Sequence, residues 1–355
     1  MDIKTDKYLE YIVEETKKLL AIDSPTGYTN DVAEYCMEAY REMGYTPVKT
    51  VKGGVLADLG GKDADNAVLL EAHADTLGAM VAEVKGNGRL RLTPLGGLNP
   101  NNAEAENCRV ITRFSGKYEG TFQLVNASTH VNGDYSDTKR GFDTMEVVLD
   151  EKTESKEETE KLGIMTGDIV AFDPRTVVTS KGYIKSRFLD DKLSTGILLG
   201  FARYIREENL IPDRKIYQHI TVYEEVGHGA CGTVPEGVTE ILSVDMGCVG
   251  DGLACQEHQV SICAKDSGGP YNYEVVTGLI QAARERGIDF AVDIYPHYGS
   301  DADAALSAGY DVKHGLIGAG VYASHGYERS HVDGVKNTFE LLKTYLLNEG
   351  AGKNQ

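Results

Sequence analysis

The stretch Val68-Leu-Leu-Glu-Ala-His73-Ala-Asp75 decides how the rest of the chain is read. Residues 67–73 are apolar on both faces, as in a central strand covered by helices on either side, and the run ends in an imidazole and a carboxylate. Working back toward the N-terminus, Leu9, Ile12, Val13, Leu19 and Leu20 in 5–21 recur at helical spacing. So do Val32, Cys36, Met37 and Tyr40 in 30–43, before Gly44, so two amphipathic helices are expected ahead of a strand at 47–59. An α/β sheet is beginning.

Working forward, the texture changes. From about Gly78 to Val178 short β-like stretches dominate: a hairpin signal at Asn87-Gly88, a Gly pair at Gly96-Gly97, strands at 109–114, 121–126, 144–149 and 168–172, and one charged, solvated helix near 155–162. After Arg187 the α/β alternation returns. Helices are expected at 191–207, 273–286, 301–308 and 332–347, with strands at 216–223, 240–245, 259–264 and 290–295. The expected fold is therefore α/β, a mostly parallel sheet flanked by helices, in a discontinuous domain of residues 1–77 and 179–355 interrupted by a β-rich unit at 78–178. Residues 350–355 read as a disordered tail.

The chain has 355 residues, more than one ordinary domain needs, which agrees with a core carrying a large insertion. Its 36 Lys and Arg against 55 Asp and Glu leave a net charge of −19, which repels phosphate backbones and anionic lipid; neither nucleic acid nor membrane is expected as a partner. The six Cys contain no C-x-x-C pair, and the start has no apolar leader, so a reduced, cytoplasmic protein is expected.

In an open α/β sheet ligands gather beyond the carboxyl ends of the strands. Polar residues follow the apolar runs at His73-Ala-Asp75, Glu224-Glu225-Val-Gly227 and Asp245; Asp190-Asp191 precedes a helix, and His325 and His331 lie late in the chain. Taken singly, each has an ordinary reading: Asp190 or Asp191 as a helix cap, a strand-end His as a satisfied core residue, the Glu pair as a solvated loop. Together they offer imidazole and carboxylate, the donors that zinc and its neighbours accept when no thiolate is present. A two-cation hydrolytic site needs a carboxylate to bridge the cations. Asp190 suits that role, with His73 and Asp245 completing one cation's set and Glu225 and a late His the other. Glu224 is then free as a general base toward water, and Asp75 can orient the His73 ring. Adjacent strand residues point to opposite faces, so Glu224 and Glu225 can share a site only if the chain leaves the strand there.

At these residues the sequence resembles the TET-type (tetrahedral) dinuclear-metal aminopeptidases, which include glutamyl aminopeptidases. The resemblance covers nearly the whole chain and rests on five motifs in order: His73-Ala-Asp75, Leu189-Asp190-Asp191-Lys192, Glu224-Glu225-Val226-Gly227, Val244-Asp245 and Gly299-Ser300-Asp301-Ala302. It implies a metallo-aminopeptidase that removes N-terminal residues from short peptides, using two divalent ions per subunit, zinc or cobalt. It further implies His73, Asp190, Glu225, Asp245 and His325 as ligands, Glu224 as base, Asp75 as orienter, and Asp301 in a substrate-binding loop. His228 is a second candidate for the substrate cleft. The β-rich insertion would mediate dimerisation within a homo-oligomer, a tetrahedral dodecamer in the family. Two departures stand out: Thr76-Leu77 replaces the usual Glu-Val after the first motif, and the run leading to the last His lacks its Arg-Tyr, leaving His331 as a competitor of His325. The same ligand set also serves N-acyl amino-acid deacylases and carboxypeptidases. A non-catalytic metal-binding scaffold is the remaining alternative.

Overall fold

The computed structural model describes residues 3–347, and the side chains of 7–347; the tail at 350–355 lies outside the described residues. The 67–73 run is the inner half of a strand, Asp63–His73, at the centre of a twelve-stranded sheet. It is fully buried from Ala67 onward, and exposed before that, because only its inner half is covered on both faces. It pairs in parallel with Arg214–Thr221 on one side and Val238–Val244 on the other, and Lys313–Tyr322 continues the parallel set beyond Val238–Val244. Four adjacent strands thus end at the same edge of the sheet, where His73, Asp245 and the Glu224 and His325 loops emerge. The rest of the sheet is mixed: Val55–Gly60 runs antiparallel to Arg214–Thr221, and Val260–Lys265 antiparallel to Lys313–Tyr322.

Helices pack on the sheet as the apolar spacing predicts. The helix Leu189–Glu207 is buried over most of its length, and it packs against the first helix, Ile3–Leu20, where Gly196 and Gly200 let the two backbones approach. A Cβ on Gly196 would run into Thr16, and one on Gly200 into Ile12. Between the two halves of the sheet, six strands close an antiparallel barrel in the order Gly78–Val84, Leu90–Leu95, Met145–Leu149, Lys117–Leu124, Glu106–Ile111 and Ile169–Phe172. Val81, Leu92, Phe122, Val147, Val170 and Phe172 fill it. The sequence expectation ran one strand on through 109–114; it ends at Ile111, and the chain turns at Gly116 into the next strand. The charged helix is the short Lys156–Lys161, capped by Ser155, and its Thr159 is buried with its hydroxyl donating to Gly88 O.

The long strand Lys313–Tyr322 escaped the sequence reading, as did the short Tyr183–Ser186, Gly247–Val249 and Glu328–His331. Lys313–Tyr322, which positions the last histidine, carries Gly315, Gly318 and Gly320, and glycine weakens a strand pattern. The glycines are there because other backbone passes close by. A methyl group on Gly318 would collide with the carbonyl oxygen of Asp245, and one on Gly320 with that of Gln256. Gly318→Ala should therefore cost about 1–3 kcal/mol or more in chemical denaturation; wild-type stability would show that this close approach is not required.

Candidate metal centre

At the sheet edge the chain changes conformation so that side chains from several elements converge. Arg214–Thr221 ends two residues earlier than expected, and Tyr223 takes a positive φ of 113°. A single 3₁₀ turn, Glu224–Val226, follows, closed by Gly227 at φ 82°. The chain leaves the strand there, as a shared site for Glu224 and Glu225 requires. Phe188, at φ 69°, precedes Asp190, whose peptide bond to Asp191 is cis. His325 is itself at φ 61° in the loop after Lys313–Tyr322.

Asp190 lies between the two imidazoles. One of its carboxylate oxygens is 3.1 Å from His73 Nε2 and the other 3.4 Å from His325 Nε2. Ligand atoms of His73, Asp190 and Asp245 lie within 4.8 Å of one another. Glu225 is 3.8 Å from His325 Nε2, and Glu224 is 3.6 Å from His73 Nε2. The site thus has two clusters, His73 with Asp245 and His325 with Glu225, joined by Asp190 and with Glu224 beside the first. His331 lies apart. Its Nε2 faces Lys181 O at 2.8 Å, its Nδ1 accepts from the Asp333 N–H, and its ring meets Tyr183 edge-on.

The supporting contacts are equally specific. The His73 Nδ1 hydrogen bond goes to the main-chain carbonyl of Asp75 at 2.9 Å, and the Asp75 carboxylate stands 3.6 Å away. That carboxylate accepts from the Thr26 hydroxyl and the Glu224 N–H, so it ties the Glu224 turn to the strand that bears His73. Asp191 accepts from the His73 N–H, and Thr195 Oγ1 donates to His73 O. Sequence reasoning missed Glu328. Fully buried, it accepts from the backbone N–H groups of both Asp190 and His325, fixing the two residues together. It lies three residues past His325 in a polar stretch, and nothing in the sequence separates it from its neighbours. Gly97 and Asn102, from the barrel side, brace His325: a Cβ on Gly97 would press on the ring, and Asn102 donates to His325 O.

Two expected substrate residues sit elsewhere. Asp301 is buried beneath the Glu224 loop, accepting from the Thr221 hydroxyl and from the Ala230 N–H; its neighbours Ser300 and Asp303 line the cavity instead. His228 is exposed, stacked on Tyr223 with ring centroids 5.1 Å apart, and Lys52 donates to its carbonyl. Asp301 accordingly shapes the loop from below.

The electrostatics have one cause, an excess of carboxylates over cations in a buried space. Burial raises the proton affinity of Glu224 and Glu225 well above the ordinary carboxylate range, and of Asp245 to about 7, with neighbouring carboxylates reinforcing it. Asp190 is held well below that range against the effect of burial, by hydrogen bonds from His325 and His73. Those bonds raise His325 to about 9. Glu225 Oε1 is buried with no hydrogen-bond partner, a costly state that a cation would relieve. A hard carboxylate and imidazole donor set with an unpaired buried oxygen fits divalent cations of the zinc type.

The site opens into a cavity of about 680 Å³, lined by Asp190, Glu224, Glu225, Asp245 and His325 at one end. Residues 53–341 match the M42 glutamyl aminopeptidase family, whose peptidases are metal-dependent. The Bacillus subtilis protein YhfE is 43% identical over 334 residues, covering 94% of this chain and 96% of that protein. Among solved structures, a TET aminopeptidase from a marine-sediment Thaumarchaeota archaeon superposes with a TM-score of 0.86 at 19% identity, over 96% of this chain and 97% of that one. The Pyrococcus horikoshii TET1 peptidase, which assembles into a tetrahedron or a large octahedral shell, superposes with a TM-score of 0.81 at 21% identity, over 94% and 98%. Ordered motifs, a shared fold and a match across most of the sequence lead to one conclusion: the chain belongs to the M42 glutamyl aminopeptidase family.

Proposed function

We propose that the protein is a cytoplasmic aminopeptidase with a dinuclear metal centre that removes N-terminal residues from short peptides. The observation that carries this reading is the Asp190 carboxylate, which offers one oxygen toward each imidazole. His73, Asp245 and one oxygen of Asp190 would hold one divalent cation, and His325, Glu225 and the other oxygen the second, zinc or cobalt by donor type. Bound there, the cations supply Lewis acidity toward a carbonyl and make water a stronger acid.

The chain's own groups do the rest. Glu224, beside His73 but outside both ligand clusters, takes a proton from water and returns it to the departing amine. Asp75 holds Glu224 by its N–H and His73 through its carbonyl, which keeps base and ligand in one frame. Glu328 does the same for Asp190 and His325. An anionic site attracts the free α-ammonium of a peptide. A carboxypeptidase or N-acyl amino-acid deacylase needs a cation for the substrate carboxylate, and among the described residues that line the cavity none is Lys or Arg. Glu224, poised beside the ligands, argues against a non-catalytic scaffold. Homo-oligomerisation through the barrel, as a tetrahedral dodecamer, follows by likeness to the TET fold.

Two experiments test this reading. Glu224→Gln should lower kcat on free-amine peptides by about 10²–10⁴-fold while bound metal, measured by elemental analysis, is unchanged; near-normal turnover would remove Glu224 from the mechanism. His325→Ala should lose about half the bound metal and His331→Ala none; full occupancy in His325→Ala would move the last ligand elsewhere.

A further inference from the structure

Beyond the two ligand clusters the cavity wall is made by Ser267, His297, Ser300, Asp303 and Ser307, with Tyr298 between the two groups, its hydroxyl donating to Met246 O beside Asp245. Asp303 is backed by a second carboxylate, Asp266. The Tyr271 hydroxyl lies 2.7 Å from Asp266 Oδ2 and 3.4 Å from Asp303 Oδ2, and Asp266 also accepts from the N–H groups of Gly268 and Gly269. Asp303 accepts from the Ser300 N–H, completing the cap of the helix Asp301–Ser307. The cap uses Oδ2 and leaves Oδ1 toward His314 Nε2 at 3.8 Å, beyond hydrogen-bond distance. Among the described residues no Lys or Arg side chain pairs with either carboxylate. Lys265 Nζ donates to the backbone carbonyl of Asp266, not to its carboxylate, and no Lys or Arg is among the described residues that line the cavity. Burial and the neighbouring Asp266 push Asp303 up to about 7, while burial lowers His314, so the imidazole is a poor counter-charge.

We propose that Asp303 makes this end of the cavity a pocket for the first side chain of the peptide, selecting basic residues, Lys or Arg, and rejecting Glu and Asp. The inference rests on the aminopeptidase reading, since it takes the ligand clusters to hold the scissile bond and the far end to hold the first side chain. An ammonium or guanidinium entering beside Asp303 meets a pair of carboxyl groups with no Lys or Arg paired to them, favours their ionised form, and finds acceptor hydroxyls on Ser267, Ser300 and Ser307. A glutamyl side chain meets like charge, and no Lys or Arg among the described lining residues is there to pair with it. The preference is thus opposite to the one the family's name describes. A polar group left unpaired by the wrong substrate discriminates more strongly than a missing methylene, for which 10–200-fold is typical.

The test compares kcat/KM of the metal-loaded protein for the p-nitroanilides of Lys, Arg, Leu and Glu. Lys and Arg should exceed Glu by about 10²-fold or more. In Asp303→Asn, whose amide oxygen can still cap the helix, the ratio of kcat/KM for Lys to that for Leu should fall about tenfold or more; a ratio cancels any general loss from altered folding. A wild-type preference for Glu, or an unchanged Lys-to-Leu ratio in Asp303→Asn, would overturn the assignment. Turnover of none of the four would instead count against the aminopeptidase reading. The pocket would then be judged by binding to Glu224→Gln, where Lys-Ala-Ala must bind more tightly than Glu-Ala-Ala for the proposal to stand.

Discussion

One carboxylate between two imidazoles is the constraint around which the site is arranged. Asp190 presents its two oxygens to His73, at the end of the central strand, and to His325, in the loop after Lys313–Tyr322. In the proposed dinuclear arrangement a shared anion would screen the repulsion of two buried cations, and each would then have a ligand set of ordinary composition. Asp190 must therefore be fixed in orientation, and its surroundings do this: Glu328 binds its backbone, and the first turns of Leu189–Glu207 are wholly buried.

The scaffold serves that convergence. Four neighbouring parallel strands bring their carboxyl ends to one edge, and an Asp75 network couples the strand carrying His73 to the turn carrying Glu224. The barrel contributes more than a separate unit would, because Gly97 and Asn102 close over His325 from its side. The carboxylate excess that makes the buried site costly in isolation is the property that suits it to cations at one end and, through Asp303, to a cationic side chain at the other.

Much of this was legible in the sequence, for identifiable reasons. The central strand announced itself because burial on both faces demands an unbroken apolar run, and His73, Glu225 and Asp245 stood out because each follows such a run. The strand Lys313–Tyr322 did not, since the glycines that let Asp245 and Gln256 approach also erase the strand signal. Glu328 and Asp303 were hidden for a different reason. Glu328 is an acidic residue in a polar stretch and Asp303 one on a short amphipathic helix, and only their three-dimensional neighbours distinguish them from solvated ones. Asp301 shows the converse: its motif drew attention to the right loop, while its side chain turns under the loop to Thr221 and Ala230.

The bridging role of Asp190 can be observed directly by anomalous X-ray diffraction, collected at the metal absorption edge on crystals of the protein saturated with zinc. Two peaks per subunit are predicted, one beside His73 and Asp245 and one beside His325 and Glu225, with the Asp190 carboxylate between them. A single peak, or two peaks of which neither pair flanks Asp190, would contradict the dinuclear arrangement.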